Sequence, residues 1–266
     1  MLQNLGFTYL GVVPVRKEPN SYSEQITQLL FGDLVVILEK TSIGNKSTDS
    51  WLRIRNIADD YEGWIDERNT LIINDSNNIT ENNYNTYSNY IISSPIAKIK
   101  MDEDIITIPM ATKLPDKKFT INGHHFTLIE GNVIHKTKLN PLLINAIALL
   151  YLNTPYQWGG KNIFGLDCSG FTQNVFAFAG INLKRDAYQQ ATQGQRVSFG
   201  EIQNSDLCFF DNSEGKITHV GIYLGESKII HCSGKVRIDN INENGIIIKD
   251  SENSYSHHLC KIQRLF

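Results

Sequence analysis

Gly165-Leu166-Asp167-Cys168-Ser169-Gly170-Phe171 sets a cysteine between glycines at the start of a helical pattern that runs through Val175, Phe176 and Phe178 and stops at Gly180. Glycine in that place ends a helix as a left-handed cap. The first turn of a helix presents unpaired N–H groups and the positive end of its dipole, and both favour a thiolate. A lowered pKa for Cys168 follows, with amides able to hold the oxyanion of a tetrahedral intermediate. A cysteine nucleophile also needs a base. Most free cysteines only fill space, so the heptapeptide alone leaves both roles open.

A candidate base sits in Thr218-His219-Val220-Gly221-Ile222-Tyr223-Leu224. Strand alternation puts Val220, Ile222 and Leu224 on a core face and His219, Gly221 and Tyr223 on the other. Gly221 leaves room for a group to come close. Gly225-Glu226-Ser227 can close a three-residue hairpin whose register sets Gly221 opposite His231. His219 then lies one diagonal step from His231 on the same face, roughly 7–8 Å between backbones. Such a pair suits a base, His219, and an orienting partner, His231, that holds its tautomer by a ring–ring hydrogen bond. A two- or four-residue loop would send the rings to opposite faces. A zinc site built from cysteine and these histidines fits no common ligand spacing. Cys208, Cys232 and Cys260 read as structural thiols, and His124-His125 and His257-His258 as solvated side chains.

Further upstream, Asn140-Pro141 reads as an N-cap followed by proline at the first helical position. The helix it opens, 142–152, is apolar on nearly all sides and is expected to be buried. Helices followed by strands at 206–210, 219–224 and 228–232 make this half an α+β domain. Residues 1–73 differ, with short runs such as Leu34-Val35-Val36-Ile37-Leu38, Trp51-Leu52-Arg53-Ile54 and Gly63-Trp64-Ile65 that suggest a small β-barrel. Seven asparagines in residues 74–90 mark a loop or linker, and the Asn78-Ile79-Thr80 sequon there reads as chance. A second β-rich stretch, 91–134, carries Ile105-Ile106-Thr107-Ile108, His125-Phe126-Thr127-Leu128-Ile129 and the hairpin signal Asn122-Gly123.

Composition removes several function classes. With 25 basic and 28 acidic residues, no domain has the basic footprint of a nucleic-acid binder. No apolar run reaches the roughly 18–20 residues of a membrane helix. Four cysteines without a C-x-x-C pair argue against a disulfide scaffold, a zinc ribbon or a thioredoxin-type site. The first residues lack the basic start of a signal peptide, and Pro14 and Arg16 interrupt their apolar stretch. Location stays open between the cytoplasm and export by a leader preceding this sequence.

Taken together, Pro155-Tyr156-Gln157-Trp158-Gly159-Gly160, the Cys168 heptapeptide, Arg185-Asp186-Ala187-Tyr188-Gln189-Gln190, Asp206-Leu207-Cys208-Phe209-Phe210, the His219 strand and Ile230-His231-Cys232-Ser233 resemble the NlpC/P60 family of bacterial cell-wall cysteine peptidases in order and spacing. The resemblance implies a papain-like α+β domain over 139–266, with Cys168 as nucleophile, His219 as base and His231 as the orienting third residue. Arg16-Lys17-Glu18-Pro19, the run from Ser23 to Gly32 and Tyr61-Glu62-Gly63-Trp64-Ile65 resemble the bacterial SH3 domain of one subgroup, the γ-D-glutamyl-L-diamino acid endopeptidases. That implies an SH3-like domain at 1–73, and a linker with a second, loosely matching SH3-like domain at 74–138.

In the subgroup, the first SH3-like domain closes one end of the groove, so that only peptides with a free N-terminal L-alanine enter. The implied substrate is a peptidoglycan stem peptide, L-Ala-γ-D-Glu-diaminopimelate, cut to release L-Ala-D-Glu without metal or cofactor. A buried α-ammonium needs carboxylates around it; Glu24 and Asp167 match the subgroup's acidic positions, and Tyr61, Tyr156 and Ser169 its hydrogen-bonding ones. Two departures stand out: 44–49 looks like an insertion before Trp51, and Cys208 and Cys232 replace residues more often aliphatic or small. An endopeptidase on intact wall and a catalytically dead wall-binding module are the alternatives. A monomer is expected.

Overall fold

The computed structural model describes residues 5–42, 50–73, 88–135, 141–248 and 254–266. The 44–49 insertion, the sequon with nearly all of its asparagine-rich stretch, and the Asn140 cap lie outside the described residues. The chain divides into two compact units, residues 1–136 with 161–163, and residues 137–160 with 164–266.

The first unit is built from strands. β1 (Leu5–Thr8), β2 (Val12–Arg16), β3 (Gln25–Leu30), β4 (Leu34–Ser42), β5 (Ser50–Asn56), β6 (Glu62–Asp66) and β7 (Thr70–Ile73) form one antiparallel sheet in the order β3-β2-β6-β5-β4-β1-β7. β5 alternates as a half-buried strand should, with Leu52 and Ile54 in a cluster that includes Val13, Val15, Leu29 and Ile65. The second β-rich stretch makes two smaller sheets. β10 (Asp104–Pro109), β9 (Ile96–Met101), β13 (His124–Glu130) and β12 (Lys118–Ile121) form one, and β11 (Lys113–Leu114), β8 (Tyr90–Ile92) and β14 (Val133–His135) the other.

The Asn122-Gly123 hairpin forms as expected, both residues at positive φ and Ile121 facing His124. The two β-rich stretches share one core. Phe7 and Phe31 from the first pack with Ile99, Ile108 and Phe126 from the second; the Phe7 and Phe31 rings meet edge-on at 5.4 Å. β15 (Lys161–Asn162) also belongs to this unit, where Gln28 Oε1 accepts from the Lys161 amide and the Asn162 side chain, each at 2.9 Å.

The second unit carries the helices. α1 (Pro141–Leu149) ends three residues short of the expected 152, its last turns tightening to Leu150 N–H to Ile147 carbonyl and Leu152 N–H to Leu149 carbonyl bonds. It is buried on one side only: Ile144, Ile147 and Ala148 are inside, but Leu149, Leu150 and Leu152 are exposed, which corrects the expectation of burial all round. Following β16 (Gly165–Leu166), α2 (Cys168–Ala177) begins at the cysteine, with Gly180 at φ +75° beyond its end. α3 (Ala187–Gln190) and β17 (Gln195–Arg196) lead into the main sheet.

That sheet is β18 (Leu207–Asp211), β19 (Ile217–Gly225), β20 (Lys228–Ser233), β21 (Lys235–Asn242), β22 (Gly245–Ile247) and β23 (Tyr255–Arg264). β23 pairs with both β18 and β22, so the six strands close on themselves. Closure explains why β19 is buried on both faces. α2 packs against β19; Val220 and Ile222 are fully buried on one of its faces, and Tyr223 joins Cys208, Phe210, Ile229 and Ile241 in a cluster on the other.

Candidate functional site

The β19–β20 hairpin decides where the histidines sit. Gly221 faces His231, as the expected register requires. The turn itself holds only Glu226 and Ser227, at φ 50° and 54°, and a bulge between Tyr223 and Gly225 supplies the extra residue. A two-residue turn plus a one-residue bulge therefore gives the same facing as a three-residue loop. The glycine is needed: a Cβ at 221 would fall 2.9 Å from the His231 Cβ.

The ring pair closes as a hydrogen bond of 2.8 Å between His219 Nε2 and His231 Nδ1. A third member, not among the sequence candidates, continues the chain: His231 Nε2 lies 2.8 Å from Asp239 Oδ2. A carboxylate only accepts, so His231 Nε2 carries a proton, Nδ1 accepts from His219 Nε2–H, and His219 Nδ1 is left as the acceptor of its ring. A general base needs that lone pair. Asp239 carried a signal in the sequence. Gly234 turns the chain between Ser233 and Lys235, which sets Arg237 opposite His231 and Asp239 one step along the same face. Arg237 holds Asp239 through its Nε at 2.6 Å. Burial works against the Asp239 charge, but the hydrogen bonds from His231 and Arg237 outweigh it and hold the carboxyl at about 2.

Cys168 is the first residue of α2 and is 7% exposed. Its Sγ lies 4.0 Å from the Thr218 carbonyl oxygen, so the thiol meets β19 at the residue before His219. The expected lowering of its pKa does not occur. Burial, then the adjacent Asp167 charge, push the thiol up to about 12, against hydrogen bonds from the Val220 and Ser169 amides and the Arg185 charge. Desolvation outweighs the helix terminus here. Burial also holds His219 well below 6.5, helped by His231 and His257. Thiol and imidazole are both neutral at mid pH.

Asp167 caps α2 by accepting the Gly170 amide at 2.7 Å, and accepts the Gly159 amide at 2.9 Å. Its remaining contacts are Ser169 Oγ at 3.2 Å and a two-pronged grip by Arg185 at 3.0 and 2.6 Å. Ser169 Oγ in turn accepts from Arg185 at 2.9 Å. Tyr156 is half-exposed; burial, then the charges of Cys168 and Asp167, push its hydroxyl above its usual value, so it stays a donor. Glu24 and Tyr61 belong to the first unit. Glu24 precedes β3, 3.7 Å from Lys17 Nζ, and the Tyr61 amide donates to Asp59 at 3.1 Å.

His257, expected to be solvated, instead stacks on His219 with ring centroids 4.3 Å apart and planes 29° off parallel. β23 carries it there by closing the sheet, which a polar Ser-Tyr-Ser-His-His tail does not advertise. Burial, then His231, hold its imidazole at about 4. Cys208 and Cys232 are core thiols, and Cys260 is half-buried. Among the described residues no group of His, Cys, Asp and Glu has the geometry to hold a metal ion. None of the described helices is long and apolar enough to cross a membrane.

A pH dependence of stability follows. His219 and His257 stay neutral in the fold, whereas unfolded histidine titrates near its ordinary value of about 6.5. The unfolded chain therefore binds more protons below that pH, and stability is expected to fall as the pH drops from about 6.5 towards 4. Urea midpoints measured from neutral pH to about pH 5 check this; a flat midpoint would contradict the burial of His219 and the partial burial of His257.

Residues 153–251 match the NlpC/P60 family and residues 11–70 the bacterial SH3 domain. The chain is similar to a γ-D-glutamyl-L-lysine dipeptidyl-peptidase of Bacillus subtilis (strain 168), 37% identical over 118 residues, 44% of this chain and 38% of that protein. It is also similar to a bifunctional muramidase/DL-endopeptidase of the same organism, 41% identical over 122 residues, 44% of this chain and 34% of that one. The matches thus span about a third of the length of these curated relatives. In fold it resembles a crystal structure of an NlpC/P60 family protein from Bacillus cereus ATCC 10987, with a TM-score of 0.76, 18% identity, and 98% of this chain and 99% of that chain covered. A cysteine-headed helix, a histidine relay on neighbouring strands and these matches agree: the chain carries an NlpC/P60 family domain, residues 153–251, behind a bacterial SH3 domain, residues 11–70.

Proposed function

We propose that this chain is a cysteine peptidase that cuts the γ-D-glutamyl-diamino acid bond of peptidoglycan stem peptides bearing a free N-terminal L-alanine. The observation that carries the reading is the relay from His219 through His231 to Asp239, beside a thiol that meets the same strand. Cys168 Sγ attacks the γ-glutamyl carbonyl while His219 Nδ1 takes the thiol proton. His231 and Asp239 stabilise the imidazolium that forms. The Asp167 cap occupies the Gly170 amide, so the oxyanion donors in this proposal are the amides of Cys168 and Ser169, with the Tyr156 hydroxyl as a further donor. The C–N bond then breaks, the imidazolium gives its proton to the leaving amine, and water hydrolyses the thioester to release L-Ala-D-Glu.

Substrate choice rests on Glu24, Tyr61, Tyr156, Asp167 and Ser169. Asp167 contributes its charge, since its oxygens are already engaged by Arg185, Ser169 and two amides. The division proposed with it is an SH3-like domain at 1–73, a linker and second SH3-like domain at 74–138, and the peptidase domain at 139–266. This reading is supported by the names of relatives over the matched stretch and by the family match.

The test compares L-Ala-γ-D-Glu-diaminopimelate with its N-acetylated form. The free tripeptide is expected to yield L-Ala-D-Glu, and acetylation to slow turnover by about a hundredfold or more, because it removes the ammonium charge and adds bulk at the amine end. Equal turnover would overturn the amine-reading groove in favour of an endopeptidase on intact wall. No cleavage of either, or of cross-linked wall, would leave a binding module.

A further inference from the structure

His257 belongs to a set of rings around the candidate base. It lies flat on His219 at 4.3 Å and meets His231 edge-on at 5.7 Å. Phe210 completes the set, 5.8 Å from His219 and 5.9 Å from His257. The His231 hydrogen bond fixes one atom of the base, Nε2, but leaves the ring free to swing about the line through that atom. A flat partner on its face removes that freedom, since offset stacking is favoured in one plane only.

The charged groups that bear on His257 from neighbouring strands are His219 on β19, His231 on β20, and Asp239 and Arg237 on β21. β22, its hydrogen-bonded partner, places uncharged Ile246 opposite. None of them gives His257 an ion pair among the described residues, and its Nδ1 contact is to Ser256 Oγ at 3.0 Å. A neutral ring in that place can lie against an imidazolium without repelling it.

We propose that His257 is a positioning residue for the base, its flat ring holding the His219 imidazole in the plane that hydrogen-bonds His231. The inference rests on the peptidase reading for its effect on turnover. Its effect on the ring pair stands apart from that reading.

The experiment compares the wild type with H257F, which keeps a flat ring, and H257L, which keeps bulk without one. Turnover of L-Ala-γ-D-Glu-diaminopimelate gives kcat and KM. The proton NMR signal of the His219 Nε2–H held against His231 reports the pair without any substrate. H257L is expected to lose about tenfold in kcat at unchanged KM, as small misplacements of a reacting group do, and to lose the ring-proton signal to exchange. H257F is expected to stay within about threefold of wild type and keep the signal. Retention of either wild-type kcat or the signal in H257L, or loss of either in H257F, overturns the proposal. If wild type itself cuts no tripeptide, the peptidase reading fails, and the ring-proton signal alone decides whether His257 positions the pair.

Discussion

Cys168→Ala is expected to abolish release of L-Ala-D-Glu from L-Ala-γ-D-Glu-diaminopimelate, a loss of about 10⁴-fold or more, in a protein that melts as the wild type does. The activity falls because no other group takes over the sulfur's part. Cys208 is fully buried on β18, and Cys232 spends its Sγ on the Leu166 carbonyl at 3.3 Å. The fold survives because alanine is a good residue for the start of α2. The contacts that Sγ gives up are weak: a long 4.0 Å approach to the Thr218 carbonyl and bonds from the Val220 and Ser169 amides. Residual stability is checked by urea unfolding and activity by mass spectrometry of the dipeptide product. Undiminished release by a folded C168A protein would remove the mechanism.

The neutral resting state adds a condition to that mechanism. With the thiol at about 12 and His219 well below 6.5, no preformed thiolate waits for substrate. In the proposed mechanism, proton transfer and attack therefore run together, and the imidazolium is stabilised as it forms. The His231–Asp239 arm can do this, because Asp239 remains charged down to about 2. A low thiol pKa is the property that a helix start suggests on its own. Here burial desolvates the sulfur, and in the proposed mechanism His219 with His231 and Asp239 supplies the difference.

What could be read in the chain followed how local its causes were. The helix start at Cys168, the left-handed Gly180 and the Asn122-Gly123 turn depend on a few adjacent residues, and all stand where the spacing puts them. The facing of Gly221 and His231 was legible too, although the turn and bulge reach it by a different division of residues. Asp239 needed one further hairpin to be followed, through Gly234. His257 was out of reach, because only the pairing of β23 with strands from 207 onwards and from 245 onwards brings it beside His219. The thiol is a further long-range case: Cys168 is buried where it meets Thr218 and Val220 of β19, which its heptapeptide does not contain. The exposed Leu149, Leu150 and Leu152 mislead in the opposite way, since an apolar run says nothing about which side of a helix finds a partner.

Arg185→Met is expected to cost about 3–5 kcal/mol, the penalty for leaving one member of a buried ion pair alone. Arg185 is 1% exposed in the side chain and Asp167 8%, so water cannot replace the guanidinium. Removing it leaves the Asp167 carboxylate to the Gly159 and Gly170 amides and Ser169 Oγ, with the bonds at 3.0 and 2.6 Å gone. The loss reaches the sulfur as well. Arg185 pulls the Cys168 pKa down and Asp167 pushes it up, so the variant keeps only the unfavourable charge, and activity falls with stability. Asp167→Asn in the same chain should recover part of the stability, because an amide can still cap α2 without burying a charge. A double-mutant cycle on urea midpoints separates the two terms. A single-variant cost below about 1 kcal/mol would mean that the pair is solvated after all, as exposed pairs are, and the carboxylate would then be available to a substrate amine. A large cost with recovery in the double variant would instead make Arg185 the residue that keeps the buried Asp167 anion tolerable beside the Cys168 thiol, the proposed nucleophile.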